Sequence, residues 1–270
     1  MTGGAPRTVN DREAREAFHT LVLSHLRERV PLSQWRVKGG VNLRLFFKSV
    51  RYSEDMDLDA EPRARHALKG TIRDFLGDIK LRRCLAELGI RDVLTNDRPA
   101  KDTETTLRFK LRLVIGGGVE LPTKVEVSFR GAARNDAVVE EAANPRIVGQ
   151  YLDRTQLPLV LPHYDRSAAI RQKISALAGR AEVQARDVFD LALLCTSGEF
   201  DLGLIAKDLD AAGLKGAHER AFELGNDAYE SQVLEFLHEP DRAVNADRWE
   251  EYQLVAAMLI ESILDSKGAT

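Results

Sequence analysis

A chain of 270 residues is long enough for one large domain or two modest ones, and 44% hydrophobic with 30% charged residues is a globular rather than a disordered balance. No run approaches the roughly 18 uninterrupted apolar residues of a membrane helix, and the opening Met1 to Arg7 lacks the apolar core of a secretory signal. Cys84 and Cys195 with six scattered histidines exclude a disulfide scaffold and a thiolate zinc site, so a cytoplasmic protein with no membrane partner is expected. The net charge of −3 conceals an asymmetry. Residues 1–135 carry 26 Lys and Arg against 18 Asp and Glu, a net of +8, and the remainder carries −11. A basic half that also holds a dense acidic cluster suits a phosphate-bearing partner approached through fixed cations.

The first predicted helix is capped by Asn10 or Asp11 and carries Ala17, Phe18, Leu21, Val22, Leu23 and Leu26 up to about Val30. A short strand follows at Trp35 to Val37, and Gly39-Gly40 opens a second short helix from Val41 to about Phe47. Leu107, Phe109, Leu111 and Leu113 alternate with basic residues, and Val125, Val127 and Phe129 alternate with Lys124, Glu126 and Ser128. Joined by a loop at Gly116 to Gly118, these segments read as an antiparallel pair with one buried face. Pro158 and Pro162 mark the passage to a helical part. There Ile170, Ile174 and Leu177 form one stripe and Val188, Leu191 and Leu194 another. Further helix is expected within 201–214, 219–237 and 249–264. The fold class is therefore α+β, with residues 1–160 holding a mixed or antiparallel sheet and residues 161–270 all helical.

The chemistry concentrates between Val37 and Asp59. In an extended chain Asp55, Asp57 and Asp59 share one face while Met56 and Leu58 enter the core, which describes a half-buried strand rather than a surface turn. Carboxylates that close together repel unless a cation lies among them, and oxygen-only donors at that density suit Mg²⁺, with Mn²⁺ as a substitute. Gly39 and Gly40 offer backbone N–H groups at a helix start, a cradle for phosphate. Glu126 lies on the polar face of its strand, open to a metal-ligand role or to pairing with Arg108, Lys110 or Arg112. In the helical half, Asp187 and Asp190 share a face of an otherwise apolar helix and therefore need partners.

A Gly-Gly turn, an Asp-hydrophobic-Asp strand and a later third carboxylate resemble the active-site signature of the DNA polymerase β-like nucleotidyltransferases. Lys38-Gly39-Gly40 with Leu43-Arg44-Leu45, then Arg51-Tyr52-Ser53-Glu54-Asp55-Met56-Asp57-Leu58, are closer still to the AbiEii-type branch. That branch comprises nucleotidyltransferase toxins of bacterial toxin–antitoxin and phage-defence systems. Ile170-Arg171-Gln172-Lys173-Ile174 and Arg186-Asp187-Val188-Phe189-Asp190 continue the likeness, which spans about residues 35–195.

The resemblance implies a polymerase β-like core at 1–160, with the helical domain at 161–270 completing the nucleotide site. It implies an enzyme that moves NMP from an NTP to an RNA acceptor, a tRNA 3′ end, and so blocks translation, with an antitoxin as protein partner. Asp55, Asp57 and Glu126 would hold the metal, and Lys38, Gly39, Gly40 and Ser53 would meet phosphate. Lys173 and Asp187 would contact the nucleotide, Lys173 as a mobile point charge beside its apolar stripe rather than a link between helices. Asp190 stays open between nucleotide contact and an ion pair with Arg180 or Arg186. Three other readings compete: a carboxylate-metal nuclease, a transferase acting on a protein or small molecule, and a non-catalytic RNA-binding module.

Overall fold

The computed structural model describes residues 9–96, 98–130, 137–152 and 158–268. The opening Met1 to Arg7, read above as no secretory signal, lies outside the described residues. Two compact units emerge. The described residues of Met1–Phe46, Tyr52–Ala132 and Val139–His163 form one, and those of Phe47–Arg51, Ala133–Val138 and Tyr164–Thr270 the other.

The first unit begins with α1 (Asp11–Arg29), whose start is fixed by a capping box. The Asn10 side chain accepts from the Glu13 backbone N–H and the Glu13 carboxylate accepts from that of Asn10. β1 (Trp35–Lys38) runs directly into α2 (Gly39–Phe46), and β2 (Met56–Ala60) follows. α3 (Arg65–Leu76), α4 (Ile79–Glu87), β3 (Asp92–Thr95) and β4 (Lys101–Thr103) separate β2 from the long strands β5 (Thr106–Val114) and β6 (Glu120–Ser128). β7 (Val138–Ala142), α5 (Pro145–Val148) and β8 (Val160–Tyr164) complete the sheet.

The strand order is β3-β5-β6-β2-β1-β8-β7, with β4 paired to β5. β2–β6 and β1–β8 are parallel, whereas β1–β2, β3–β5, β4–β5 and β5–β6 are antiparallel, so the sheet is mixed. The alternating segments do form an antiparallel pair. Their loop uses left-handed backbone at Gly117 and Gly118, φ 75° and 76°, which glycine adopts without a Cβ clash. Met56, Leu58, Leu107, Phe109, Val125 and Val127 enter one core with Phe18, Val22 and Leu26 of α1 and Leu68, Ile72 and Phe75 of α3. Polar residues of the same strands keep the opposite face.

Differences from the sequence expectation are local. α2 starts at Gly39 rather than Val41. Pro162, read as part of a passage into helices, sits within β8, whose one recorded register pair with β1 is Val37 with His163. α3, α4, β3, β4, β7 and α5 add to the expected elements.

The second unit is helical: α6 (Arg166–Gly179), α7 (Ala185–Thr196), α8 (Leu202–Ala206), α9 (Ala211–Arg220), α10 (Asn226–Gln232), α11 (Glu239–Asn245) and α12 (Trp249–Gly268). The two predicted apolar stripes are buried on α6 and α7; α6 packs on α7, α8 and α9, and α7 on α12, where Ala256, Ile260 and Ile263 are buried as well. The helix expected within 201–214 is two, because Asp201 caps α8 through Leu204 N–H and Asp210 caps a new start through Gly213 N–H. The one expected within 219–237 is likewise broken, with α10 and a 3-10 turn at Leu234–Phe236. No helix among the described residues is long and apolar enough to cross a membrane.

Candidate functional site

The polar face of the sheet carries a row of four charges fixed by strand register. Arg108 on β5 faces Glu126 on β6, Glu126 faces Asp57 on β2, and Asp57 faces Lys38 on β1. Neighbouring strands lie only about 4.8 Å apart, so two carboxylates are held side by side between two cations. Arg108 Nε donates to Glu126 Oε2 at 2.7 Å. Lys38 Nζ reaches diagonally to Asp59 Oδ1 at 2.6 Å, which accounts for the third acid of the series. Asp55, one residue before β2, has Lys124 Nζ 3.1 Å from its Oδ2, and the same ammonium lies 3.9 Å from Glu126 Oε2.

Two further contacts shape this face. Gly39 opens α2 with φ +66°, and a Cβ there would stand 3.3 Å from Asp57 Oδ2. Glycine therefore meets both a left-handed backbone and a close approach to the carboxylate. The first N–H groups of a helix have no carbonyl of their own to bond, so the Gly39-Gly40 start presents donors beside Asp57. The segment leading to Asp55 is pinned from below. Thr123 Oγ1 donates to the Glu54 carbonyl at 2.6 Å, and His19 Nε2 lies 3.0 Å from the same hydroxyl. Since the hydroxyl proton is committed to Glu54, His19 must donate, which fixes the neutral Nε2–H tautomer. Burial, helped by Arg15, pushes the His19 pKa down to about 3. Ser53 Oγ donates to the Asp55 carbonyl at 2.8 Å, closing the turn.

Burial raises the Asp57 carboxyl above its usual range. Lys124 and Lys38 work against that rise, and Asp55 and Glu126 add to it. At Glu126 burial also favours the neutral form, but the hydrogen bond and charge of Arg108, with Lys124 and Lys38, outweigh it and hold the carboxyl below its usual range. The donor set fits a hard divalent cation: all oxygen, on adjacent strands, mutually repelling, with the Lys124 ammonium already bridging two of the acids as a countercharge. Among the described residues no three acids, histidines or cysteines stand together as a ready-made cage.

In the helical unit, the residues singled out by sequence form a buried charge network. Lys173 Nζ lies 2.9 Å from Asp187 Oδ1 and 2.5 Å from Asp190 Oδ2. Arg51 donates to both oxygens of Asp190, and Arg180 Nε stands 2.9 Å from Asp187 Oδ2 without hydrogen-bond alignment. Both aspartates are 0% exposed. Burial opposes the charge on Lys173, yet Asp187 and Asp190 outweigh it and raise its pKa. Burial likewise opposes ionisation of Asp190, and Arg51 and Lys173 reverse that, holding its carboxyl below the usual range. The mobile charge expected at Lys173 is thus a link between α6 and α7. Arg51, part of the segment that resembles the family, pairs with Asp190. Its partner is 139 positions away, and no local spacing announces the pair.

Three stability outcomes follow from this geometry. Gly39→Ala should cost about 1–2 kcal/mol, the usual penalty of a left-handed L-residue, read as a lower melting temperature. The folded Asp57 carboxyl binds its proton more tightly than the unfolded one, so stability is lost as pH rises from the ordinary carboxyl value through the raised one and stays reduced above it. Asp57→Asn should therefore raise the melting temperature at pH 7, with a gain that shrinks as pH falls through the carboxylate range. A pH-independent gain would contradict this. Lys173→Met leaves two buried carboxylates without their shared cation and should cost about 3–5 kcal/mol in denaturant unfolding. Adding Asp187→Asn and Asp190→Asn should recover part of that loss.

The chain matches the family described as nucleotidyl transferase AbiEii toxin, type IV toxin–antitoxin system, over residues 21–265. A search of the curated proteins finds no match. Among solved structures, JHP933 from Helicobacter pylori superposes with a TM-score of 0.57 at 18% identity, covering 96% of this chain and 94% of that one. MenT4, a nucleotidyltransferase toxin from Mycobacterium tuberculosis H37Rv, gives 0.60 at 16% identity, covering 95% and 93%. At these identities the structures attest the fold, and the match over nearly the whole sequence attests the family. The chain belongs to the AbiEii family of nucleotidyltransferase toxins of type IV toxin–antitoxin systems.

Proposed function

We propose that the protein transfers a nucleoside monophosphate from an NTP to the 3′ hydroxyl of an RNA acceptor, a tRNA end, and thereby blocks translation. It would work in the cytoplasm, in toxin–antitoxin or phage-defence systems, under the control of an antitoxin protein. The observation that supports the reading most strongly is the register of Asp57 beside Glu126, with Asp55 two residues earlier and Lys124 near both Asp55 and Glu126.

In the step proposed, the acceptor oxygen forms a bond to the α-phosphorus while the bond from that phosphorus to the bridging oxygen breaks. Pyrophosphate leaves with the electron pair. The hydroxyl proton passes to a carboxylate oxygen of Glu126, which Arg108 keeps ionised and able to accept it. Bound Mg²⁺ or Mn²⁺, held by Asp55, Asp57 and Glu126, would supply charge neutralisation at the triphosphate and activation of the attacking oxygen. Lys38, the N–H groups of Gly39 and Gly40, and Ser53 are assigned to phosphate oxygens, Ser53 after its hydroxyl turns from the Asp55 carbonyl. Lys173, Asp187 and Asp190 are assigned to nucleotide handling by the helical unit, with Arg51 as a positioning residue behind Asp190. Positioning and charge carry such chemistry, since little covalent work falls to the protein.

Incubation with total RNA and each labelled NTP in Mg²⁺ tests the reading. Label should appear in RNA for the wild type and be lost, by at least about a hundred-fold, in Asp57→Ala. Asp59→Asn should retain most transfer, because Asp59 is engaged by Lys38. RNA shortened without any NTP requirement would mean a nuclease, and label in protein would mean a different acceptor.

A further inference from the structure

Next to Asp55 the polar face of the sheet opens into a cavity of about 540 Å³. Its floor is made by residues that continue the catalytic row outward, one strand repeat at a time. On β5, Lys110 and Arg112 follow Arg108 at two-residue spacing, which places them on one face about 7 Å apart along the strand. On β6, Lys124 follows Glu126 in the same way.

The register creates an electrostatic problem here. Lys110 and Lys124 are direct cross-strand partners, and like charges in that position destabilise a sheet. Lys124 is relieved by Asp55, whereas Lys110 pairs with no carboxylate among the described residues. Among the described residues Arg112 has an exposed pair with Glu120, 2.9 Å apart, of a kind that contributes little and exchanges readily. Such a cluster at the mouth of an acidic centre is complementary to an anion.

The shape decides which anion. A triphosphate is compact and is already assigned to the Gly39-Gly40 side of Asp57. The cavity instead runs away from Asp55 along β5, with cations at intervals comparable to successive phosphates of an extended single strand. Leu94 on β3, the register partner of Arg112, adds an apolar platform for a sugar or base, and Asn96 adds an amide beyond it. Cationic grooves of this build track a polynucleotide backbone without reading its sequence.

We infer that this cavity is the track for the acceptor strand, in which Lys110 and Arg112 hold consecutive phosphates of a single-stranded RNA so that its 3′ end reaches Asp55. The inference rests on the nucleotidyl transfer reading for what happens to that end, and on the cavity itself for binding.

The test is the double variant Lys110→Gln/Arg112→Gln, both exposed side chains whose replacement should not lower the melting temperature, since it also relieves the Lys110–Lys124 repulsion. Binding of a short fluorescein-labelled single-stranded RNA with a free 3′ hydroxyl is followed by anisotropy over a NaCl series. The variant should bind roughly ten-fold or more weakly at low salt, and its slope of log affinity against log salt should fall by about 1.4, two contacts at about 0.7 each. In transfer assays the KM for RNA should rise while kcat and the KM for NTP stay near wild type. Unchanged affinity and slope would overturn the track. So would a raised KM for NTP with RNA binding intact, which would give these cations to the nucleotide. Failure of the wild type to bind RNA, with label entering a protein instead, would overturn it as well. If the variant loses RNA binding as expected but the wild type transfers no NMP from any NTP, the track stands and the transfer reading fails.

Discussion

Backbone hydrogen bonding between β2 and β6 forces Asp57 and Glu126 to stand beside each other, and most of the first unit can be understood as the cost of that juxtaposition. Two acids one strand apart repel, so cations must bracket them. Arg108 and Lys38 occur at the only register positions that continue the row on either side. The parallel pairing of β2 with β6 also requires a long connection, because parallel strands cannot be joined by a tight turn. α3, α4 and three strands fill that connection, and the two helices cover the apolar face. Gly39 is the steric counterpart of the same constraint: with no side chain, it lets the next element begin against the Asp57 carboxylate.

The helical unit handles charge in the opposite manner. Asp187 and Asp190 are removed from water entirely, matched by the largely withdrawn Lys173 and Arg51 and, at Asp187, by the exposed Arg180. Replacing such a network by apolar residues is often neutral or stabilising, so its persistence is weak evidence for a purely structural purpose. What it does provide is a fixed geometry. The ammonium of Lys173 is aimed by two carboxylates, and Arg51 ties the Phe47–Arg51 segment to α7.

Sequence conveyed those parts of the fold whose signals are local. The strict alternation at Leu107 to Leu113 and at Val125 to Phe129 named both strands and their pairing, since period two with one apolar face has few other solutions. Asn10, one of the two capping candidates with Asp11, marks the start of α1, and Met56 with Leu58 places the acids around them in a half-buried strand. Signals that depend on distant partners were silent. β8 contains a proline and has one recorded register pair with β1, so nothing in Val160 to Tyr164 distinguishes a strand from a linker. The division of the expected helices comes from the Asp210 side-chain cap and from the extended backbone of Gly225, both of which a stripe of apolar residues overrides on paper. At the site, the acids were visible as a pattern, and Arg108 as one of three candidates to face Glu126. The roles of Lys124 and Thr123 were not, because each acts on a segment nearly 70 residues earlier in the chain.

The hydrogen-bonded chain from His19 through Thr123 to the Glu54 carbonyl gives the enzyme a particular response to acid. A folded molecule keeps this support unchanged down to a pH of about 3, because the imidazole stays neutral while it is buried. An unfolded molecule accepts a proton on the same ring at its ordinary pKa of about 6.5. Between those two values every drop in pH therefore favours the unfolded chain without loosening the turn that carries Asp55. Acidification, as far as His19 is concerned, reduces the number of intact molecules and leaves each survivor with the same carboxylate geometry.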